Sequence, residues 1–362
     1  MIEEKQLIYL NAFNLLPNIG SATLFKIDKE FKSDFKSAWK ISTASFRKFQ
    51  LDQDQVVSLE NRNNIDPKKE FKKLEKEDVY LITYHDDIYP ARLKEISNPP
   101  FLLYIRGTLP KEEQIKIAVV GTRLLTEYGK RVTPIISHEL TTAGAIIISG
   151  LATGIDTLAH KTCLDASGTT IAVIGSGLDK KSFFPQQNYD LSLKIAERGA
   201  VVSEYPLGMN ATKEKFPARN RIVSGLSNGV LVVEADERSG ALITARLALE
   251  QNRDVFAIPG GIFWPKSKGA NGLIKQGAKA VLSAQDILEE YNIAYMNSQI
   301  EIIPETEEEK LILASFTGQP IGIENILENS GLNIGKVIAT LTTMEMKGWI
   351  KNIGSNTYTL NN

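Results

Sequence analysis

From about residue 77 the chain repeats one pattern: a short run of apolar residues, then a longer amphipathic stretch. The runs fall at 117–120, 145–148, 170–174, 200–203, 230–233 and 255–258, and the stretches between them include 127–142, 155–167, 189–198 and 240–251. The runs are rich in Val and Ile and do not alternate with polar residues, as strands covered on both faces require. Strands alternating with helices close into a mostly parallel, doubly wound α/β sheet with right-handed crossovers. That pattern sets the fold class.

The flanks differ from this centre. Residues 1–76 are Lys-rich and lack strand-like runs; Leu7, Leu10, Phe13 and Asn14 begin a helical spacing that stops at Pro17. The stretch Leu16-Pro17-Asn18-Ile19-Gly20-Ser21 then reads as a tight turn opening a second helix, with Gly20 and Asn18 able to take positive φ. A small helical domain of the helix-hairpin-helix or SAM-like kind is expected, as a packing module or as a nucleic-acid contact. Residues 293–306 read as a linker. Residues 307–362 predict three helices followed by a β-hairpin turned by Gly354-Ser355-Asn356, the layout of a winged helix. From residue 301 onward stand eight acids and four bases, so a protein-contact role is favoured over phosphate contact.

Composition narrows the function. With 42 Lys+Arg against 43 Asp+Glu, the net charge is −1, so a polyanion must be gripped locally and not by the overall field. A single Cys excludes a disulfide framework and Cys-rich zinc sites. The opening Met1-Ile2-Glu3-Glu4-Lys5 carries two acids and no apolar segment, and no apolar run reaches the length of a membrane span. A cytoplasmic protein without membrane attachment is expected.

The loops at the strand ends carry the chemistry. Ligands of a doubly wound sheet bind beyond the carboxyl ends of its strands. Here those ends hold Gly121-Thr122-Arg123, then Ser149-Gly150-Leu151-Ala152-Thr153-Gly154-Ile155-Asp156, then Gly175-Ser176-Gly177. Each Gly lets backbone amides approach an anion, and the following helix start adds partial positive charge. Neither a G-x-G-x-x-G fingerprint after a strand nor a P-loop pattern occurs. The segment Lys213-Glu214-Lys215-Phe216-Pro217-Ala218-Arg219-Asn220-Arg221 supplies cations near a helix start opened by Pro217, and Phe216 could stack a base. A phosphate-binding crevice follows.

These runs, with Ile222-Val223-Ser224-Gly225, Phe256-Ala257-Ile258-Pro259-Gly260, Tyr89-Pro90, Asn98-Pro99-Pro100 and Ser203-Glu204-Tyr205-Pro206, resemble the DNA-processing protein A (DprA/Smf) family. The detailed likeness spans 77–292, and the flanking modules fit the family's domain order. The resemblance implies a Rossmann-like DNA-binding domain at 77–292 between the helical domain at 1–76 and the winged helix at 307–362. It implies a homodimer that binds and protects single-stranded DNA and helps load the RecA recombinase in natural transformation. It further implies a DNA pocket of Arg123, Lys213, Phe216, Arg219 and Arg221, with Lys215 and Gly121 beside it and amides offered by Ser149 and Gly150.

An enzyme of the nucleoside-monophosphate glycohydrolase kind is the alternative, with Glu234 as acid and Ser239-Gly240 holding phosphate. The P-G-G-x-G-T-x-x-E run of those enzymes is broken here, since Pro259-Gly260-Gly261 continues as Ile262-Phe263-Trp264. Cys163 and His160 share one helix without a third group to orient a base, and His85 and His138 have no partner at metal spacing. No catalytic residue, metal or cofactor is expected.

Overall fold

The structure is a computed structural model that describes residues 2–46, 51–293 and 304–360. Two compact units divide it, residues 1–295 and 296–362. Most of the expected linker, 294–303, lies outside the described residues.

The first unit is built on nine strands: β1 (Tyr80–Thr83), β2 (Leu102–Gly107), β3 (Lys116–Val120), β4 (Ile146–Ser149), β5 (Thr170–Ile174), β6 (Ala200–Ser203), β7 (Gly229–Val232), β8 (Asp254–Ala257) and β9 (Lys279–Ala280). Their order is β1-β2-β6-β5-β4-β3-β7-β8-β9. The seven strands from β3 onward pair in parallel, as the alternating pattern requires. β1 and β2 extend the edge in antiparallel sense, β2 on β6 and β1 on β2. The strand–helix repeat does not foretell that extension, because no crossover helix connects β1 to β2.

Apolar residues on both faces of each strand have the cause expected of a covered sheet. Ala118, Val120, Val230 and Val232 face one layer, with Ile222, Val223 and Leu226 of the helix Lys215–Leu226. Their neighbours Ile117, Val119 and Leu231 face the other, with Ile136 and Leu140 of the helix Glu127–Thr142 and Ala159 and Cys163 of the helix Ile155–Asp165. Cys163 is thus a core residue.

Residues 1–76 share a core with the sheet. Phe13, Phe35 and Trp39 lie in one apolar cluster with Phe101, Tyr104 and Val201. Tyr104, fully buried, donates from its hydroxyl to Asn11 Oδ1 at 2.8 Å, and Asn14 Nδ2 donates to that hydroxyl at 3.2 Å. The composition change near residue 77 therefore does not interrupt the packing. In the hairpin turn, Asn18 takes φ 60° while Gly20 stays extended at φ −120° as N-cap of the helix Ser21–Phe31. Gln55 Nε2 reaches over to the Asn18 carbonyl at 3.3 Å, so the turn is packed against its own module.

The second unit has helices Glu307–Ala314, Ile323–Ser330 and Ile334–Met346 around Ile312, Ile326, Val337 and Leu341. Its strands β10 (Ile321–Gly322), β11 (Ile350–Asn352) and β12 (Thr357–Leu360) form a sheet of order β10-β12-β11. This is the winged helix expected. On or beside its third helix, Lys336 pairs with Glu308 at 2.9 Å and Lys347 with Glu305 and Glu309 at 2.7 and 2.8 Å.

Two outcomes test the packing. Phe13 is fully buried and meets Trp39 edge-on at 4.9 Å, so Phe13→Ala should lower the urea-unfolding free energy by about 3–5 kcal/mol. His160 is buried with Nδ1 2.7 Å from Thr170 Oγ1, and burial, aided by the Arg219 charge, pulls its pKa down to about 3. The unfolded imidazole titrates near ~6.5, so its contribution to stability is complete above that pH and is lost as pH falls from there toward the folded value. The urea-unfolding free energy should decline below about pH 6.5 at up to ~1.4 kcal/mol per pH unit, and His160→Gln should flatten that decline.

Candidate nucleic-acid interface

β3 is the first strand of the parallel set, and the chain runs outward from it through β4, β5 and β6 before returning to β7 on its other side. The loops after β3 and β7 diverge there and open a crevice at the carboxyl ends of the strands. The crevice holds a cavity of about 460 Å³ walled by Gly121 and Arg123 after β3, Gly150 and Asp156 after β4, Lys213 and Phe216 before β7, and Arg238 and Ser239 after it. A neighbouring cavity of about 300 Å³ shares Arg123, Gly150, Phe216 and Arg219 and adds Thr153, Gly175 and Phe184.

The crevice floor holds two buried charges of opposite sign, Arg219 and Asp156, on either side of Gly150. Arg219 is 5% exposed, and its guanidinium donates to the carbonyls of Gly150 and Val173. Burial draws its pKa down to about 10, a loss that the Asp156 carboxylate opposes. Burial likewise pushes the Asp156 carboxyl up, against Arg219 and the amides of Ala152 and Gly150. Those amides donate to Asp156 Oδ2 at 3.3 and 3.1 Å. A Cβ on Gly150 would stand 2.6 Å from Arg219 Nη2 and 2.8 Å from Asp156 Oδ2, so only glycine fits between them. Gly154, at φ +87°, closes the same loop, where a Cβ would meet the Thr122 carbonyl at 2.2 Å.

Two sequence expectations are corrected here. Ser149 and Gly150 do not offer amides to a ligand: Asp156 takes the Gly150 amide, and Ser149 is fully buried with its hydroxyl donating to the Val119 carbonyl at 2.6 Å. Arg219 is a wall and floor residue and not an exposed fork, because its helix buries positions 219, 222, 223 and 226 at i, i+3, i+4 and i+7. That spacing was present in the sequence.

Arg221 and Lys215 point elsewhere. Arg221 Nη2 donates to both oxygens of Glu204 at 2.7 and 2.6 Å, and Glu204 also accepts from Ser21 Oγ at 2.7 Å. Arg221 thus ties the crevice helix to the helical front and does not line the crevice. Lys215 Nζ donates to the Asn210 carbonyl at 2.5 Å and lies 5.2 Å from the Tyr205 ring, with its pKa lowered by burial.

What remains at the lip is Arg123, Lys213 and Phe216, with Arg238 across from them on the β7 side. Arg123 and Lys213 are exposed and form no ion pair with a described residue. The Arg123 guanidinium lies 5.2 Å from the centre of the Phe216 ring, and the ring of Phe184, 45% exposed, stands 5.5 Å from it, tilted by 46°. A cation beside two neighbouring rings suits a phosphate and its base. The sequence reading missed Arg238 and Phe184. Arg238 sits at a strand end, the position that signalled Arg123, whereas Phe184 arrives through a loop with no local signal.

Glu234 is 1% exposed; it accepts from the hydroxyl and amide of Thr126, capping the helix that begins at Glu127. Ser239 accepts from the Ala241 amide at 3.3 Å as an ordinary N-cap. Among the described residues no three His, Cys, Asp or Glu side chains gather at metal-ligand distance, and no helix is long and apolar enough to cross a membrane.

Removing Arg219 leaves the Gly150 and Val173 carbonyls without their donor and takes away the charge that favours the Asp156 carboxylate. Arg219→Ala should therefore cost about 2–4 kcal/mol of stability, while Arg123→Ala, at an exposed position, should change the unfolding midpoint little. Urea titration of both variants checks this contrast.

Residues 80–292 match the family described as DNA recombination-mediator protein A, and residues 301–353 match the DprA winged helix domain. Protein Smf of Synechocystis sp. is 34% identical over 383 residues, spanning 94% of this chain and 96% of that protein. Protein Smf of Escherichia coli is 39% identical over 287 residues, 76% of each chain. The X-ray structure of DNA processing protein A from Streptococcus pneumoniae superposes with a TM-score of 0.67 at 38% identity, covering 80% of this chain and 99% of that one. DNA processing protein A from Helicobacter pylori, described for its unique single-stranded DNA binding mode, superposes with a TM-score of 0.53 at 30% identity, covering 61% and 99%. With residues 80–292 matched by the family and relatives this similar along most of its length, the chain belongs to the DNA recombination-mediator protein A (DprA/Smf) family.

Proposed function

We propose that this protein binds single-stranded DNA in the crevice beyond β3, β4 and β7, with Arg123 and Lys213 on phosphates and Phe216 under a base. The observation that carries the reading is the pair of exposed, unspent cations beside the Phe216 ring, 5.2 Å from the Arg123 guanidinium. The name of the pneumococcal relative and the reported binding mode of the Helicobacter pylori protein support it. Phosphate contacts and stacking carry no base code, so the preference is for single strands without strong sequence readout.

The wider role follows the family's description as a recombination mediator. The protein protects the strand in natural transformation and hands it to the RecA recombinase. It acts as a homodimer, joined through the region 272–291, where the edge strand β9 leaves backbone groups open for pairing and Leu282 is 81% exposed. The crevice binds and does not catalyse, since Glu234 and Ser239 are spent on helix capping.

Anisotropy titrations test this reading. Arg123→Ala and Lys213→Ala should each weaken binding to a single-stranded oligonucleotide about tenfold or more, the worth of a charge-assisted hydrogen bond. The log–log salt slope should lie near −0.7 per phosphate contacted and become shallower by about one contact with each substitution. Lys68→Ala with Lys69→Ala, outside the crevice, should leave affinity nearly unchanged. Equal affinity for a blunt duplex would overturn the proposal, and hydrolysis of a nucleoside monophosphate would favour the enzyme instead. Light scattering should give twice the 40.1 kDa chain mass.

A further inference from the structure

Beside the crevice stands an aromatic loop that the strand site above does not use. Between β8 and the helix Lys268–Lys275, Ile262 is 74% exposed, Phe263 88% and Trp264 51%. Isolated apolar side chains on a surface need no explanation, but three consecutive large ones on a water-facing loop do.

The loop is held rigidly. Asn271 brackets Gly260, donating to its carbonyl at 2.9 Å and accepting from its amide at 3.1 Å. The Lys266 carbonyl accepts from the Ala235 amide at 2.8 Å, and the Gly269 amide donates to the Ala235 carbonyl at 2.8 Å. Tyr128 anchors the other side: its hydroxyl donates to the Pro259 carbonyl at 2.7 Å, and its ring lies 5.6 Å from that of Trp264. Trp264 rests one face on Gly261, where a Cβ would come within 2.8 Å of the indole. The Phe263 ring and the free side of Trp264 are therefore presented to solvent at little further cost in ordering.

The loop is continuous with the crevice. Lys266, two residues beyond Trp264, lines the crevice, as does Leu124, which is 74% exposed. Lys266 is paired with Asp236 at 3.1 Å, the acid of this rim, while Lys268 is exposed and forms no ion pair with a described residue. Rings beside the exposed Lys268, on a loop continuous with a phosphate site, have the chemistry of a groove that tracks a nucleic-acid backbone and stacks its bases.

We propose that Phe263 and Trp264 form a second base-stacking platform, onto which a single strand continues after leaving the Arg123–Phe216 lip. This rests on the reading of the crevice as a single-strand site. The platform lengthens the strand covered by each chain without adding sequence preference, because every base has a face to stack.

The full-length chain can be titrated with oligothymidylates of about 5, 10 and 20 nucleotides, bracketing the ~4–16 nucleotides such grooves cover. Trp39 and Trp349 are each 8% exposed, so Trp264 dominates any quenching by a stacked base. The longest oligonucleotide should quench tryptophan emission and the shortest should not. Phe263→Ala should weaken the longest about fivefold or more, the low end of one base–aromatic stack, and leave the shortest unchanged. If Arg123→Ala weakens every length and Phe263→Ala none, the crevice reading stands and the platform is wrong. If the unsubstituted protein binds no single strand of any length, both fall. A uniform loss with Phe263→Ala accompanied by a lower unfolding midpoint, or a changed mass in light scattering, would make the loop structural or an interface between copies, and overturns the platform equally.

Discussion

The strand-end crevice depends on two buried charges, Arg219 and Asp156, that flank Gly150 and are each hydrogen-bonded to backbone. Charges removed from water are tolerable only when hydrogen bonds and nearby opposite charge replace their hydration. Asp156 draws in the amides of Gly150 and Ala152, and Arg219 donates to the Gly150 and Val173 carbonyls. Arg219 thereby staples the ends of β4 and β5 to the helix Lys215–Leu226. That helix start carries Phe216, and the residue before it in the loop is Lys213's neighbour, so the lip is held where the staple holds it. In many anion sites a loop of this shape leaves its amides for phosphate; here an internal carboxylate occupies them, and side chains must supply the positive charge.

That division explains how a chain of net charge −1 can present a cationic lip. Several cations of the crevice region are spent internally: Arg219 on the floor, Arg221 on Glu204, Lys266 on Asp236. Arg123, Lys213 and Arg238 are left over, and all three are exposed. Cations already paired contribute little to an incoming polyanion, because exchanging partners returns only the difference between two interactions. Grip is thus concentrated at few positions, with Phe216 and Phe184 adding apolar area that charge alone does not.

Glu204 gives the helical front a second meaning. It accepts from Ser21 in the front and from Arg221 in the crevice helix, and Asn14 donates to its carbonyl at 3.1 Å. The front is therefore part of the scaffold that fixes the crevice helix. In the winged-helix unit the third helix has its lysines engaged by Glu305, Glu308 and Glu309, which agrees with the acidic balance of that segment and leaves it little charge for phosphate.

The sequence by itself determined the parallel sheet, its helices and the winged helix, because burial on two faces or on one helical stripe is written into local periodicity. The helices Glu127–Thr142 and Tyr189–Arg198 and the strands β5 and β6 lie at their expected residues. It also put Arg123, Lys213 and Phe216 at the strand ends, since the fold class dictates where such ends converge. Tertiary structure alone decided which cations remain free. Whether Arg221 faces a ligand or Glu204 depends on a residue 17 positions away, and whether Gly150 offers its amide depends on Asp156 turning back onto it. The antiparallel edge of β1 and β2, and the arrival of Phe184 beside Phe216, are equally non-local. Partners of a charge are chosen by three-dimensional proximity and desolvation, and neither has a period that a linear sequence can display.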